Sequence, residues 1–375
     1  MNLASLNTVP PTSPRRARLE SLSVRALAGL PHGLLRLLVG GPVVIDGQEL
    51  HVEVQLVLKL LRIAGESPLE MLGVPDARAQ ITEEAHTFEG PKLQVQRVEE
   101  IAVSGAVGPL AARLYVPDAT ASDSGLLLYF HGGGFVVGDL ETHDNTCRFL
   151  AREAGVRVLA VDYRRAPEHR FPAAIDDALA AFRFAVEHAS DLGADPARVA
   201  VGGDSAGGNL AAGVARLAVA DDGPAPALQL LFYPWLDLSS KRESYRLFGD
   251  GFFLTEGDLD WYKGHYLAEQ SAALDPRCSP LLAEELGGIA PAYIATAGFD
   301  PLRDEGEDYA RRLRAAGVPV ALHRHRGLIH GFVNALAMGH AGRDALLDAA
   351  GALRLGLAMA RRDPYGLPSH DRTPS

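Results

Sequence analysis

The chain has 375 residues, of which 47% are hydrophobic and 22% are charged, and its formal net charge is -11 at pH 7. A chain of this length and composition can bury a large core, which excludes fibrous and disordered proteins. The acidic balance also argues against nucleic acid as a partner, because no cluster of Lys and Arg is available to neutralise phosphates.

The N-terminal part of the chain is predicted to be helical. Residues 1–20 are polar and proline-rich, which is typical of a flexible tail, and a helical cap segment is expected over residues 21–90. Within it, Leu50–Ala64 shows polar residues on one helical face and an apolar stripe on the other. The leucine-rich stretch Leu34–Leu38 is interpreted as a further cap helix, with contact to lipid as the alternative.

Several features bear on the compartment. Arg and Pro interrupt every candidate apolar run in the first forty residues, so no export signal is predicted. No run approaches the ~20 apolar residues of a membrane-spanning helix. The two cysteines, Cys147 and Cys278, are expected to be unpaired, half-buried thiols and are too few for a metal site of usual spacing. We therefore expect a cytoplasmic protein.

Beyond residue 90 the pattern changes to strands. Val95–Val103 and Leu110–Tyr115 alternate apolar and polar residues, which predicts an antiparallel pair. Continuous apolar runs then recur between helical segments, as expected of parallel strands buried on both faces. These runs are LLLYF from Leu126, VLAVDY from Val158, VAVGG from Val199, LQLLFY from Leu228, AYIATA from Ala292 and VALHRH from Val320.

The spacing of these runs predicts the domain organisation. The core is expected over residues 91–234 and 290–362, interrupted by a cap insertion over 235–289 and followed by a tail over 363–375. An aromatic-rich helix should begin in the insertion at Thr255, whose hydroxyl can cap it together with Asp258.

The stretch VAVGGDSAGGNLAA, residues 199–212, contains a candidate nucleophile. A strand up to Gly202 and a helix from Gly207 place Ser205 on the turn between them. The pattern Gly-x-Ser-x-Gly in this context is typical of a nucleophile elbow, in which a strained turn exposes the serine hydroxyl. The free N–H groups of the helix N-terminus would lie beside the reacting centre.

A serine becomes a good nucleophile only with a base and an acid that orients the base. In this kind of fold these follow the serine in the order acid, then histidine, each after a strand. Asp300 and His330 satisfy that order and position, and Asp304 is the weaker rival because it is expected on a helix. His323 and His325 fall inside the last strand, on one face of it, as satisfied sheet histidines. Surface or capping roles are expected for His143, His169, His265 and His340.

Donors for an oxyanion are predicted in the segment His131-Gly132-Gly133-Gly134-Phe135, which follows a strand. Glycines let backbone N–H groups approach a ligand closely, and the segment fits neither a P-loop nor a dinucleotide fingerprint. The N–H groups of Gly133, Gly134 and Ala206 are the expected oxyanion hole. His131 is expected to hold the glycine loop in place.

Taken together, these motifs resemble the bacterial hormone-sensitive-lipase-like (family IV) carboxylesterases of the α/β-hydrolase superfamily. The resemblance covers about residues 45 to 360 and departs from the family at Arg165, where leucine is commoner. It implies an eight-stranded, mostly parallel sheet with helices on both faces, a helical cap, and ester hydrolysis without cofactor or metal. The motifs are HGGG from His131, YRRAPE from Tyr163, GDSAGG from Gly203, DPLRDEG from Asp300 and HGF from His330. The residues expected to support the site are His131, Gly132, Asp204 and Glu168.

We expect a serine carboxylesterase that hydrolyses short- to medium-chain acyl esters of small molecules. An amidase, formamidase or lactonase is the alternative, and a non-catalytic binding protein on the same fold is a further one. A homodimer through the last strand and helix is also expected, because that sheet edge must be covered or paired. The residues expected to line the pocket, unless they serve packing alone, are Phe135, Phe252, Phe253 and Trp261, with Tyr262 beside them.

Overall fold

The computed structural model describes residues 30–65, 67–118, 124–220 and 223–360. The tails predicted over residues 1–20 and 363–375 lie outside the described residues. In the described ranges the helices are α1 (His32–Val39), α2 (Val52–Ala64), α3 (Val74–Phe88), α4 (Asp144–Ala154), α5 (Ala173–Glu187), α6 (Ala206–Ala220), α7 (Glu243–Phe248), α8 (Glu256–Tyr266), α9 (Arg303–Ala315) and α10 (Ala341–Ala360). The strands are β1 (Val44–Ile45), β2 (Gln48–Glu49), β3 (Arg97–Ser104), β4 (Pro109–Val116), β5 (Ser124–Phe130), β6 (Arg157–Val161), β7 (Ala194–Asp204), β8 (Gln229–Phe232), β9 (Ala292–Phe299) and β10 (Val320–Ile329).

The central sheet has eight strands in the order β3-β4-β6-β5-β7-β8-β9-β10. The strand β3 pairs antiparallel with β4, and β4 pairs antiparallel with β6. All other neighbours in this sheet are parallel. The predicted eight-stranded, mostly parallel sheet is therefore confirmed. The small hairpin of β1 and β2 was not predicted, because two-residue strands carry no readable pattern.

The continuous apolar runs form strands that are covered on both faces. Every residue of β5 is buried, and successive residues belong to two different cores. Leu126 and Leu128 point to the face covered by α5, α6 and α9, whereas Leu127 and Tyr129 point to the face covered by α4 and α10. Helices on both faces explain why these strands show no polar alternation.

The N-terminal helices pack on the core and on one another. Leu35 of α1 is buried against Val52 and Leu56 of α2, whereas Leu37 is 82% exposed. The helix predicted over Leu50–Ala64 corresponds to α2. No helix in the described part of the chain is both long and apolar enough to cross a membrane.

The insertion after β8 contains α7 and α8. The capping box predicted at Thr255 is confirmed, because its side chain accepts from the N–H of Asp258 and the Asp258 carboxylate accepts from the N–H of Thr255, both at 3.0 Å. The helix α8 contacts the single helical turn Leu69–Met71 of the N-terminal segment. The two segments predicted to form the cap therefore meet.

Both cysteines are unpaired, as predicted. The expectation that they are half-buried is wrong, since Cys147 and Cys278 are both fully buried. Cys147 lies on the inward face of α4 and Cys278 lies within the insertion, where it is buried in the core, so each fills core space as a small apolar side chain.

Candidate active site

Ser205 lies on a sharp turn between β7, which ends at Asp204, and α6, which begins at Ala206. Its backbone φ is +55°, a left-handed conformation that only surrounding structure can impose on a serine. A Cβ atom at Gly203 or Gly207 would lie 2.3 Å or 1.9 Å from the carbonyl oxygen of Phe130. Only glycine fits at these two positions, which explains the Gly-x-Ser-x-Gly pattern.

Asp300 and His330 follow β9 and β10 directly and meet in space. The Nδ1 atom of His330 lies 2.9 Å from Oδ2 of Asp300, whose other oxygen accepts from the N–H of Leu302 at 2.8 Å. Asp300 is fully buried, and the imidazole ring packs against the ring of Tyr233 at 4.4 Å. This geometry favours the tautomer with Nδ1–H toward the carboxylate, which leaves Nε2 unprotonated.

Asp304 has a different role. It lies in the first turn of α9, and its Oδ2 accepts a hydrogen bond from the N–H of Ser244 at 2.8 Å. Its other carboxylate oxygen contacts Arg303. Because one oxygen binds the start of α7 and the other binds Arg303 at the start of α9, this carboxylate does not compete for His330.

A cleft of about 470 Å³ opens over the turn that carries Ser205. Both Ser205 and His330 line it, together with the glycine loop and parts of the N-terminal segment and the insertion. Further lining residues are His143, Asp204, Phe253, Tyr262 and Asn334. A serine and a carboxylate-bound histidine thus share one cleft.

The glycine loop reaches the cleft through positive φ angles at Gly133 (+112°) and Gly134 (+59°). A Cβ atom at Gly134 would lie 2.2 Å from the ring of Tyr262 on α8, so the loop packs directly under that helix. Within the described ranges, no acceptor is found for the N–H groups of Gly133, Gly134 and Ala206. Gly133 and Gly134 also line the cleft beside Ser205.

The Asp204 carboxylate connects the serine turn to the glycine loop. Its Oδ1 accepts from the Tyr129 hydroxyl at 2.8 Å and from the N–H of Gly132 at 3.0 Å. The Nε2 atom of His143 lies 3.2 Å from the same oxygen. Burial opposes ionisation, but His143 and these hydrogen bonds hold the pKa of Asp204 below its ordinary value.

The expectation that His143 is a surface or capping residue is wrong in both parts. His143 precedes α4 at the N-cap position, but its side chain caps nothing and is buried against Asp204. It lines the cleft and also contacts the Asn334 side chain at 3.0 Å. The sequence carries no signal for this position, because His143 follows no strand and belongs to no motif. It lies eleven residues beyond Gly132, at the start of the helix that directs its side chain inward.

His131 lies under the glycine loop as predicted. Its Nδ1 is 2.8 Å from the carbonyl oxygen of Gly132, and its ring stacks on Tyr163 at 4.4 Å. Burial, followed by the charges of His143 and Arg165, lowers the pKa of His131 to about 3. A neutral, fully packed imidazole positions the loop.

Two residues of the YRRAPE segment act at the edge of this loop. Arg165, the departure from the family pattern, donates to the carbonyl oxygen of Gly138 and so supports the loop. Glu168 lies away from the cleft and is 54% exposed. It forms an ion pair at 2.7 Å with Arg78 of α3, whose hydrogen bond lowers the pKa of Glu168 to about 2. Glu168 thus joins the N-terminal segment to the core.

The aromatic residues expected in the pocket separate into two groups. Phe253 and Tyr262 line the cleft. The expectation is wrong for Phe135, which is fully buried between Trp235 and Tyr266, and for Phe252, which packs against Phe248 and Phe299. It is wrong also for Trp261, whose ring lies tilted against that of His265, one turn further along α8. These three rings pack against other rings and do not line the cleft. The sequence could not distinguish the two roles, because the neighbours of a ring are set by the fold.

The two histidines of β10 share one face, as predicted, with ring centroids 4.1 Å apart. His323 pairs with Asp348 at 3.1 Å. The expectation that both are satisfied is wrong for His325, because its buried Nε2 has no hydrogen-bond partner in the described part of the chain. Burial and the nearby His323 and His51 lower the pKa of His325 to about 4. His169 and His340 are exposed and His265 is half-buried.

Comparisons with known proteins agree with this architecture. A family described as the alpha/beta hydrolase fold matches residues 127–334. The carboxylic ester hydrolase LipN of Mycobacterium tuberculosis is 46% identical over 343 residues, which cover 88% of this chain and 90% of LipN. An ethyl acetate hydrolase of Pseudomonas putida is 43% identical, covering 71% of this chain and 85% of its own.

Solved structures show the same similarity. An ester hydrolase from the metagenome of Lake Arreo superposes with a TM-score of 0.79 at 39% identity, covering 82% of this chain and 99% of that one. The hyperthermophilic esterase of the archaeon Pyrobaculum calidifontis superposes with a TM-score of 0.78 at 36% identity, covering 84% and 99%.

A parallel sheet with a serine elbow and a histidine–aspartate pair at its strand ends defines an α/β-hydrolase. The chain belongs to the hormone-sensitive-lipase-like family of these enzymes. It is a carboxylic ester hydrolase.

Proposed function

We propose that Ser205 is the nucleophile of this esterase, His330 its general base and Asp300 the acid that orients His330. The observation that carries the proposal is the His330–Asp300 pair at 2.9 Å in the same cleft as a serine on a strained strand-to-helix turn. Because Nδ1 is engaged by the carboxylate, the free Nε2 is the atom that takes the serine proton.

The reaction then proceeds in two steps. In the first, His330 takes the proton of Ser205 while Oγ bonds to the ester carbonyl carbon, and the C–O bond to the alcohol breaks as His330 returns the proton to that oxygen. In the second, His330 removes a proton from water, the resulting hydroxyl attacks the acyl-enzyme, and Ser205 leaves with the proton. Asp300 stabilises the imidazolium that forms in each step.

The N–H groups of Gly133, Gly134 and Ala206 are proposed to bind the oxyanion. The Ala206 donor belongs to the first turn of α6, so the partial positive charge of that helix end acts on the same oxygen. Loss of one such donor costs about 10²–10³ in turnover in serine hydrolases. Gly132 and Asp204 hold the loop at its place, and His131 supports it from below.

We propose a preference for short to medium acyl chains, C2 to C8. An apolar cavity of about 120 Å³ adjoins the cleft and shares Phe253 and His330 with it. A cavity of about 150 Å³ holds one benzene, so this smaller one holds roughly five carbon atoms. Its walls come from α2, α3 and the segment after β10, with Val57, Leu61 and Met338 at the apolar end. The substrate in the name of the Pseudomonas relative is also a short ester.

With p-nitrophenyl esters from acetate to palmitate, kcat/KM should rise by roughly fourfold per methylene, the worth of ~0.8 kcal/mol, until the cavity is full. It should then fall by at least tenfold beyond C10, because a chain longer than the cavity clashes with its walls. Phe253→Ala should move the maximum to longer chains, since this ring lies between cleft and cavity. Trp261→Phe is the matched control and should keep the wild-type profile. Faster hydrolysis of palmitate than of butyrate would contradict the proposal, and faster hydrolysis of butyranilide would point to an amidase.

We propose a homodimer through β10 and α10. Within the described residues, β10 pairs with a strand on one side only, and α10 exposes Leu347, Leu355 and Met359. Light scattering on the purified chain should give twice the chain mass of 39.9 kDa. Leu355→Glu should return it to a monomer, whereas Met71→Glu, a charge on an exposed methionine far from this edge, should not. A monomeric wild type at micromolar concentration contradicts the dimer.

We also propose a cytoplasmic location. Two free cysteines are typical of a reducing compartment, where thiols persist. Fractionation of the source cells against a cytoplasmic marker enzyme tests this, and recovery with secreted or envelope proteins would contradict it.

A further inference from the structure

A second groove, separate from the serine cleft, gathers histidines. It has a volume of about 520 Å³ and lies between β10 and α10. Five of the 13 histidines of the chain line it, namely His32, His51, His323, His325 and His340. The proposed esterase chemistry uses none of them, so the groove calls for its own explanation.

Three side chains in this groove converge on one point. His323 and His325 are two residues apart on β10, and therefore project from the same face of the strand. Asp348, on α10, reaches across with Oδ2 at 3.1 Å from Nδ1 of His323. One nitrogen or oxygen atom from each of the three residues lies within 4.8 Å of the others.

The donor set is one that transition metals prefer. Neutral imidazoles suit Zn²⁺, Cu²⁺ and Ni²⁺, and a carboxylate completes a three-ligand set with room for water. In a tetrahedral zinc site, bonds of about 2.0–2.1 Å place ligand atoms roughly 3.4 Å apart. His323 and Asp348 are about half exposed, at 51% and 50%, so their side chains are free to close the remaining distance.

His325 supplies the independent sign of a missing partner. Its Nε2 atom is buried, yet no hydrogen-bond donor or acceptor reaches it in the described ranges of the chain. A buried polar atom without a partner costs free energy, which a metal bond would recover. We propose that His323, His325 and Asp348 form a binding site for a divalent transition metal ion, with Zn²⁺ the best match.

Such an ion would join the edge strand to the last helix. The strand β10 ends at Ile329, directly before His330, and the His325 ring packs on Phe332 at 5.5 Å. A ligand that binds only the folded state raises the melting temperature as its concentration exceeds Kd. Zinc should therefore stabilise the protein through this site without entering the serine cleft.

The test uses the full chain without a histidine tag, dialysed against EDTA. Co²⁺ is titrated by visible absorption and Zn²⁺ by calorimetry and thermal melting. We expect one tightly bound equivalent, a cobalt spectrum of low coordination number, and a melting temperature that rises with Zn²⁺. Zinc bound weakly at several equivalents, or not at all, overturns the proposal.

Variants separate this site from the rest of the groove. His323→Gln and Asp348→Asn should each weaken binding by more than about 100-fold, because loss of even outer-shell partners costs about 10–100-fold. His340→Gln and Asp344→Asn are the matched controls, as both residues are exposed in the same groove. Hydrolysis of p-nitrophenyl butyrate by metal-free protein should be unchanged in all four and reports folding. The assignment is overturned if His323→Gln and Asp348→Asn bind zinc as tightly as the wild type does. It is also overturned if the two control variants lose as much affinity as these two.

Discussion

Replacement of Ser205 by Ala is expected to lower kcat for p-nitrophenyl butyrate by about 10⁶-fold, and His330→Ala should cost a similar factor. Neither residue works without the other, because the proton that leaves the serine must arrive on the imidazole. The double variant should therefore be only slightly worse than either single one. The residual rate would come from the N–H groups around the oxyanion and from substrate binding.

Steady-state kinetics on homogeneous protein check this result, with circular dichroism to show that each variant folds. Ser190→Ala and His169→Ala are matched controls, since both residues are exposed and outside the cleft. Near-normal hydrolysis by Ser205→Ala would remove the serine from the reaction. Losses that multiply in the double variant would show that Ser205 and His330 act independently.

The second large effect is expected at Asp300. Asp300→Asn should lower kcat by about 10⁴-fold with little change in structure, because an amide in this position favours the wrong imidazole tautomer. The neighbouring Asp304→Asn is the matched control, since its carboxylate binds the N–H of Ser244 and Arg303 instead. It should retain activity within about tenfold and lose a little stability at the start of α7.

The contrast between the two aspartates is the informative measurement. Both lie in the segment DPLRDEG, four residues apart. Activity lost in Asp304→Asn and kept in Asp300→Asn would reverse the assignment. Equal losses in both would indicate a defect in the folding of the segment instead of a role in proton transfer.

Much of the fold could be predicted because its signals are local. Continuous apolar runs identified β5 to β10, and alternation identified β3 and β4 as a pair. The turn at Ser205 was predictable because a strand, two glycines and a helix start are adjacent in the chain. The short strands β1 and β2 escaped prediction because two residues cannot show a period.

The surroundings of the site were harder to predict because they depend on distant contacts. His143 reaches Asp204 across 61 residues, and Tyr129 reaches it across 75. Nothing near either residue in the chain signals this contact. The same limit applies to Phe135, whose neighbours Trp235 and Tyr266 come from beyond β8. Residue type indicated an apolar position, but only the folded chain decides between a pocket wall and a packed interior.

The single carboxylate of Asp204 has a consequence for how the site can come apart. It binds the first amide of the glycine loop and directly precedes the serine. A local opening that moves Asp204 therefore disturbs the glycine loop and the serine turn together. With Ser205 as the proposed nucleophile and the glycine loop as the proposed oxyanion site, the groups for attack and for charge stabilisation would then be lost as one cooperative unit.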